Sequence, residues 1–414
     1  MTGIVLSAAV RQNLLSLQDT ASLLATTQNR LATGNKVNSA LDNPTNFFTA
    51  QGLNNRASDI NNLLDSIGNG VQVLQAANTG ITSLQKLVDT AKSIANQVLQ
   101  APTGYTVKAS AASLAPTGAG PLAVAGTAAD LTNAGTNSLN GKTFIFTPAV
   151  GAATTITVSS TVAAGNVNSI DAFNAALTSA GLGLTASLAS DGSITLTSTN
   201  DNASQTLTTG TTAAANNIAI SGTDTATLVT PAGGSAGKPV ADAASQAIRA
   251  SLVSQYNNII TQISTTAQDS SFNGINLLFG DNLKLTFDET GKSTLNVQGV
   301  TYDAAGLGLG SLTTGTDFLD NSSANAALTK LSAASTSLRT EASALGSNLS
   351  VVQLRQDFNK SLINVLQTGA SNLTLADANE EAANSQALST RQSIAVSALS
   401  LANQSQQSVL QLLR

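Results

Sequence analysis

Apolar residues recur along this chain at alternating spacings of three and four over two long stretches. In residues 57–100 the recurring positions are Ile60, Leu63, Ile67, Val71, Leu74, Ala77, Ile81, Leu84, Val88, Ala91, Ala95 and Val98, all apolar. In residues 324–366 they are Leu328, Leu331, Ser335, Leu338, Ala342, Leu345, Leu349, Val352, Gln356, Asn359, Ile363 and Leu366, nine of them apolar and none interrupted by proline. This period keeps one stripe of a helix turned toward a partner along its whole length. At ~1.5 Å per residue each helix extends roughly 65 Å, so each needs cover of matching length. The two stretches supply it to each other. The pattern predicts a mostly α protein whose core is a long antiparallel coiled coil or helical bundle, closed by pairing N- and C-terminal segments.

Shorter versions of the pattern lie outside the long ones. Val10, Leu14, Leu17, Ala21, Leu24, Gln28 and Leu31 place a helix in residues 1–33, which Gly34 stops. Pro44, in the turn cluster that follows, is suited to the first position of the next helix. A last helix is expected over about 377–413, with Ala395, Ala398, Ala402, Ser405, Val409 and Leu412 on its seam. Another is expected from 241 to about 268, with Ile248, Leu252, Ile259 and Ile263 on one side.

Between residues 104 and 240 the pattern changes to period two. Phe144 and Phe146, Ile156 and Val158, Leu184 with Ala186 and Leu188, and Ile194 with Leu196 alternate as in strands, and Asp191-Gly192 reads as a hairpin turn. Ile170, Phe173 and Leu177 add one short helix. Only eight charged residues fall in positions 104–239. This stretch is expected to be a β-rich insert with a little helix. Two further strands are expected near 283–287 and 294–297.

Composition narrows the function classes. Of 414 residues, 10% are charged and the net charge is −5, with no basic stripe suited to nucleic acid or anionic lipid. Neither partner is expected. Cysteine and histidine are absent, which excludes disulfides, thiolate metal sites and nucleophile pairs built on either residue. Glu380-Glu381 and Asp288-Glu289 read as solvated turns, and Gly306, Gly308 and Gly310 as a connector rather than a phosphate cradle. No enzyme activity and no cofactor are expected. No cleaved signal pattern and no apolar run long enough for a membrane span are present. The uncharged run 392–413 buries too little in one helix pair to offset its ordering entropy. It suits packing against many copies of itself.

Four segments, in order, resemble bacterial flagellin. They are Leu31-Ala32-Thr33-Gly34-Asn35-Lys36-Val37-Asn38-Ser39-Ala40-Leu41-Asp42-Asn43, then Asn69-Gly70-Val71-Gln72-Val73-Leu74-Gln75, then Ser271-Phe272-Asn273-Gly274-Ile275-Asn276-Leu277-Leu278, then Val409-Leu410-Gln411-Leu412-Leu413-Arg414. Pro44 and Phe47-Phe48 depart from the small residues that the family has after its Asp pair. The resemblance implies an extracellular subunit of the flagellar filament, exported without a cleaved signal. It implies an inner domain of residues 1–44 with 375–414, an outer helical domain of 45–103 with 241–374 carrying a hairpin at 272–297, and a variable, solvent-facing domain at 104–240. Self-assembly would use Val10, Leu14, Leu17, Ala21, Leu24, Leu31, Ala395, Ala398, Ala402, Val409 and Leu412. Phe272, Asn273 and Gly274 would belong to a switch region. Implied partners are further copies, the export machinery and its chaperone, the filament cap and the hook-junction proteins. The alternatives are a hook–filament junction protein, against which the close match at both end segments argues, and a secreted adhesin on a coiled-coil stalk, which needs no mirrored heptads.

The insert lies outside both seams, so replacing residues 106–236 by a short Gly/Ser bridge is expected to leave fibre formation intact. Electron microscopy of the purified deletion protein checks this; a helical, soluble product that never forms fibres contradicts it.

Overall fold

A computed structural model describes residues 8–113, 131–132, 139–149, 151–161, 163, 165–188, 194–213, 217–222, 228–229 and 238–412. Among these residues the chain order is α1 (Ala8–Thr33), α2 (Pro44–Gln100), β1 (Tyr105–Val107), β2 (Ser110–Ser113), β3 (Thr143–Pro148), β4 (Thr154–Val158), β5 (Asn166–Val167), α3 (Ile170–Ser179), β6 (Leu184–Leu188), β7 (Ile194–Ser198), β8 (Thr206–Thr209), β9 (Asn217–Gly222), β10 (Leu228–Val229), β11 (Val240–Ala241), α4 (Ala243–Asp269), β12 (Leu283–Thr286), β13 (Thr294–Val297), α5 (Asn321–Thr374) and α6 (Ala378–Leu412). The expected class is the observed one: paired helical ends with a β-rich insert. The Asp191-Gly192 turn lies outside the described residues.

The chain divides into two compact units, one of residues 1–72, 283–297 and 348–414, the other of 73–282 and 298–347. In the first, α1 runs beside α6, and the start of α2 runs antiparallel to the end of α5. Ala57 and Ile60 there share a small core with Ile363 and Leu366. The two pairs are tied at their junction by backbone bonds. Lys36 and Val37 donate to the Thr374 carbonyl, and Ala376 donates to that of Gly34. Gly34 holds φ at +70°, a left-handed residue that ends α1. Helix α2 starts earlier than its seam, at Pro44, because Asn43 Oδ1 accepts the N–H of Asn46 and caps it.

In the second unit the later half of α2 packs with α4 and the start of α5. The α2 seam positions are buried along the whole helix, with Leu63 half-buried, and those of α5 are buried or half-buried throughout. Helix α4 departs from its expected phase. Ile248 is exposed and Arg249 takes the core position, together with Leu252, Tyr256, Ile260 and Ile263.

The insert forms two larger sheets among its described residues, a four-stranded one in the order β10-β2-β7-β6 and a five-stranded one in the order β5-β4-β3-β9-β8, and β1 pairs with β11 at its base. The pairs β4/β5 and β8/β9 are parallel and the others antiparallel. Phe144, Phe146 and Phe173 meet at its core, the first and last edge-to-face at 5.3 Å.

Arg249 closes the root of this insert. Its Nε donates to Pro102 O (2.7 Å), its Nη1 to Phe318 O (2.7 Å), and its Nη2 to Val98 O, Ala101 O and Asn321 Oδ1 (3.1, 3.1 and 3.2 Å). Burial holds its pKa below the usual arginine value, with Asp320 pulling the other way. The last carbonyls of α2 would otherwise be orphaned in the interior. Arg249→Met is expected to cost about 3 kcal/mol or more, because several buried carbonyls lose a charged donor together. Arg249→Lys should recover only part of that, since an ammonium lacks the planar fork. Chemical denaturation followed by circular dichroism measures both; wild-type stability in Arg249→Met removes the guanidinium from this role.

Candidate assembly surface

The face on which α1 meets α6 is set by a heptad of each. On α1 the buried and half-buried positions are Val10, Asn13, Leu17, Thr20, Leu24, Thr27 and Arg30; on α6 they are Glu381, Ser385, Leu388, Gln392, Ala395, Leu399 and Ala402. Val10, Leu17, Leu24, Ala395 and Ala402 therefore lie on the contact within one chain, as does Ala21 at its half-buried margin. Leu14, Leu31 and Ala398 do not: all three are exposed. The seam is turned by one position relative to expectation. Threonine takes the inner places because the Thr20 hydroxyl satisfies itself on the Ser16 carbonyl at 2.7 Å. Val409 and Leu412 fall on α6, but their side chains lie outside the described residues.

The α1/α6 pair is fixed at its junction end by charge. Arg30 Nη1 lies 3.3 Å from Glu381 Oε1, and Glu381 is buried. Asp377 caps α6 by accepting the N–H of Asn379, and Glu380 and Glu381 place negative charge in its first turn. Across the connector, Asp42 Oδ2 accepts from the N–H groups of Ser39 and Asn38 and from the Ser39 hydroxyl. Those bonds hold the Asp42 carboxyl below the usual aspartate value. A depressed folded-state pKa means that this latch is intact above the ordinary carboxylate range and is lost as pH falls through the folded value. The turn leaves Leu41 at its tip 96% exposed.

The expected hairpin at 272–297 resolves into two structures. Phe272 and Ile275 exchange both backbone bonds at 3.0 Å around Asn273 (φ 50°) and Gly274 (φ 80°), a self-contained turn of the second unit. Strands β12 and β13 form a separate hairpin in the first unit. Two left-handed residues in succession close a tight turn, and the chain leaves it at Asn276, which bonds back to α4, before β12 begins. Asn276 reinforces the turn by donating to the Ala267 and Gln268 carbonyls, the last of α4. The β12/β13 hairpin is seated by Asn359, whose buried Nδ2 donates to Phe287 O at 3.0 Å. Arg56 and Glu289 add an ion pair at 2.6 Å, and Arg355 lies over the Phe287 ring at 5.9 Å. Gly70 allows the close approach, because a Cβ there would stand 2.3 Å from a Leu285 methyl.

Beyond the predicted residues, α5 carries a second stripe. Val351, Leu354, Phe358 and Val365 follow the same three–four spacing on the side away from the seam, and all are exposed, Leu354 to 71%. The signal was present in the sequence as a second heptad offset from the first. Leu15, Leu23, Ile394, Val396 and Leu401 are likewise exposed on α1 and α6. Among the described residues, fourteen of the twenty large exposed apolar ones belong to the first unit. Among the described residues no cluster of acidic groups is suited to a metal, and no helix is long and apolar enough to cross a membrane.

The geometry thus defines a class: a helical protein whose two ends pair, with an apolar surface left on the paired ends and a sheet module inserted between. Residues 5–116 match the bacterial flagellin N-terminal helical region, and residues 328–413 match the bacterial flagellin C-terminal helical region. The chain belongs to the flagellin family. It is 34% identical over 167 residues to flagellin FljK of Caulobacter vibrioides, covering 39% of this chain and 59% of the relative. Flagellin FljM of the same organism is 33% identical over 167 residues, with the same shares. Flagellin A of Rhizobium meliloti is 38% identical over 90 residues, 22% of this chain and 23% of the relative. The chain thus spans less than two thirds of the length of these relatives.

Asn359→Leu keeps the branched shape, with larger methyl groups, and leaves the Phe287 carbonyl without its donor. The expected cost is about 1–3 kcal/mol, with faster amide exchange in residues 283–297. Hydrogen-exchange mass spectrometry reads it; unchanged protection of that segment shows that Asn359 does not seat the hairpin.

Proposed function

We propose that the chain is a structural subunit, without enzyme activity, that polymerises into the hollow filament of the bacterial flagellum outside the cell. The observation that carries this reading is the uncovered heptad stripe Val351, Leu354, Phe358 and Val365 on α5. A stripe of that period is built to meet another helix, and within one chain nothing covers it. A large exposed apolar patch marks a contact surface. Further copies of the chain are its natural cover, since a helical polymer uses one surface repeatedly through head-to-tail contacts that do not close. The exposed leucines and isoleucine of α1 and α6, and exposed Ala398, offer further apolar positions to such contacts. Family membership supports the reading. It also supports delivery by an export machinery with a chaperone, and contact with a filament cap and hook-junction proteins at the two ends.

In this reading residues 1–44 with 375–414 form the innermost domain, 45–103 with 241–374 the next, and 104–240 the solvent-facing one. Phe272, Asn273 and Gly274 would serve the switch between supercoil states.

Leu354→Asp and Ala398→Asp test the surface. Each side chain is exposed, so the monomer's thermal melt should stay within about 0.5 kcal/mol of wild type. Each carboxylate would be desolvated at a repeated contact, so fibres should be lost. Electron microscopy at high protein concentration gives the result. Normal fibres from both variants would overturn the assignment, and capped short stubs from the wild type would point to the junction protein instead.

A further inference from the structure

The four-stranded sheet of the insert ends on β6, which has no strand on its outer side among the described residues. It is the longest edge strand of the two larger sheets: β6 has five residues, β8 four, and β5 and β10 two each. An uncovered edge offers backbone donors and acceptors to any strand that can lie along it. Residues 184–188 read Leu-Thr-Ala-Ser-Leu, alternating and without charge or proline. None of the usual guards against strand addition is present in them.

One side chain replaces those guards. In an antiparallel pair, alternate residues turn their N–H and C=O away from the partner strand. Ala186, at the centre of β6, is such a residue. Its N–H donates to Asn174 Oδ1 at 2.6 Å and its carbonyl accepts from Asn174 Nδ2 at 2.9 Å. The primary amide presents the donor–acceptor pair that a docking strand's peptide would bring. Asn174 is held there by α3, which Ser169 caps and which buries Phe173 and Leu177 in the insert core.

We infer that Asn174 is a plug on the β6 edge that prevents the inserts of two copies of this chain from pairing strand to strand. The excluded partner is a second copy because it carries the identical uncharged edge. Antiparallel pairing about Ala186 is self-complementary and two-fold symmetric. The inference goes beyond the filament reading and does not depend on it, since two free monomers suffice.

The chain has no cysteine, so Ser187→Cys on the exposed face of β6 takes a single pyrene label. Two β6 edges paired about Ala186 bring the labels to neighbouring-strand distance, and excimer emission reports them; contacts through α1 and α6 do not. Ser187→Cys alone should give monomer emission only. With Asn174→Ala added, an excimer band should appear and grow with concentration. Adding Thr185→Lys should abolish it by placing a charge on the open edge. Asn174→Asp, which keeps an acceptor for the Ala186 N–H and adds a carboxylate, should give no excimer. Asn174→Ser, too short to satisfy both backbone groups, is measured beside the alanine variant. Absence of excimer from both overturns the proposal whatever their melts. So does an equal excimer from Asn174→Asp or from the Thr185→Lys combination, because association would then follow from lost packing rather than from an open edge.

Discussion

The guanidinium of Arg249 is the contact on which the second unit depends. It satisfies carbonyls at the end of α2, on the connector after it and just ahead of α5, at sequence separations from 69 to 151. No carboxylate hydrogen-bonds to it among the described residues; its partners are backbone carbonyls and one side-chain amide. A buried charge so held is costly to strip of any partner, so it specifies where the chain leaves α2 and where it enters α5. Phe318 sits beside it with φ at 61°, a backbone state that few non-glycine residues adopt. Phe318 persists there because its carbonyl meets Nη1, its N–H meets Ser323 Oγ and its ring packs edge-to-face on Tyr256. The root of the insert is thereby held largely by residues outside it. The insert adds bonds of its own there: the N–H groups of Asn321 and Ser322 donate to the Asn200 and Asp201 carbonyls, and Ser204 Oγ donates to Asp320 Oδ2.

The two long seams were legible because a stripe of wholly apolar residues admits one phase. Ile67, Leu74, Ile81, Leu84 and Val88 are all fully buried where the period placed them. The α1/α6 contact was legible in kind but not in phase. Its observed stripe on α1 mixes Val10, Leu17 and Leu24 with Asn13, Thr20, Thr27 and Arg30, so it is less apolar than the phase one position away. Structure selects the phase that buries Thr20 and Thr27 and leaves Leu14 outward, which hydropathy alone disfavours. Arg249 was not legible at all. An isolated arginine on a helix reads as solvated, and its acceptors are brought together only by the tertiary fold.

The insert marks a different boundary of sequence reasoning. Four of its strands, β3, β4, β6 and β7, were readable from period two and its helix from Ile170, Phe173 and Leu177, whereas β1, β2, β5, β8, β9 and β10 were not. The strand pairing was not readable either, because β3 meets β9 across more than seventy residues and β4/β5 and β8/β9 pair in parallel. Alternation reports which face of a strand is buried and says nothing about its neighbour. Low charge leaves the insert with few ionic constraints, and side-chain amides bond its backbone instead, as Asn174 does at Ala186 and Asn202 at the Leu182 carbonyl.

The same period serves two ends in α5, and the difference lies in what each stripe meets. The seam through Leu331, Leu338, Val352 and Ile363 is covered within the chain and contributes to folding. The stripe through Val351, Leu354, Phe358 and Val365 is not, and leaving it exposed costs the lone chain solubility. Selection for stability alone would replace Leu354 or Phe358 with Lys or Glu, both good helix formers that suit water. The charged residues Arg355 and Asp357 flank it on either side, so charge is tolerated at its margins. An apolar heptad retained beside tolerated charge is the mark of a surface shaped by an association, and α5 holds the folding seam and that surface on one helix, so that packing the first presents the second.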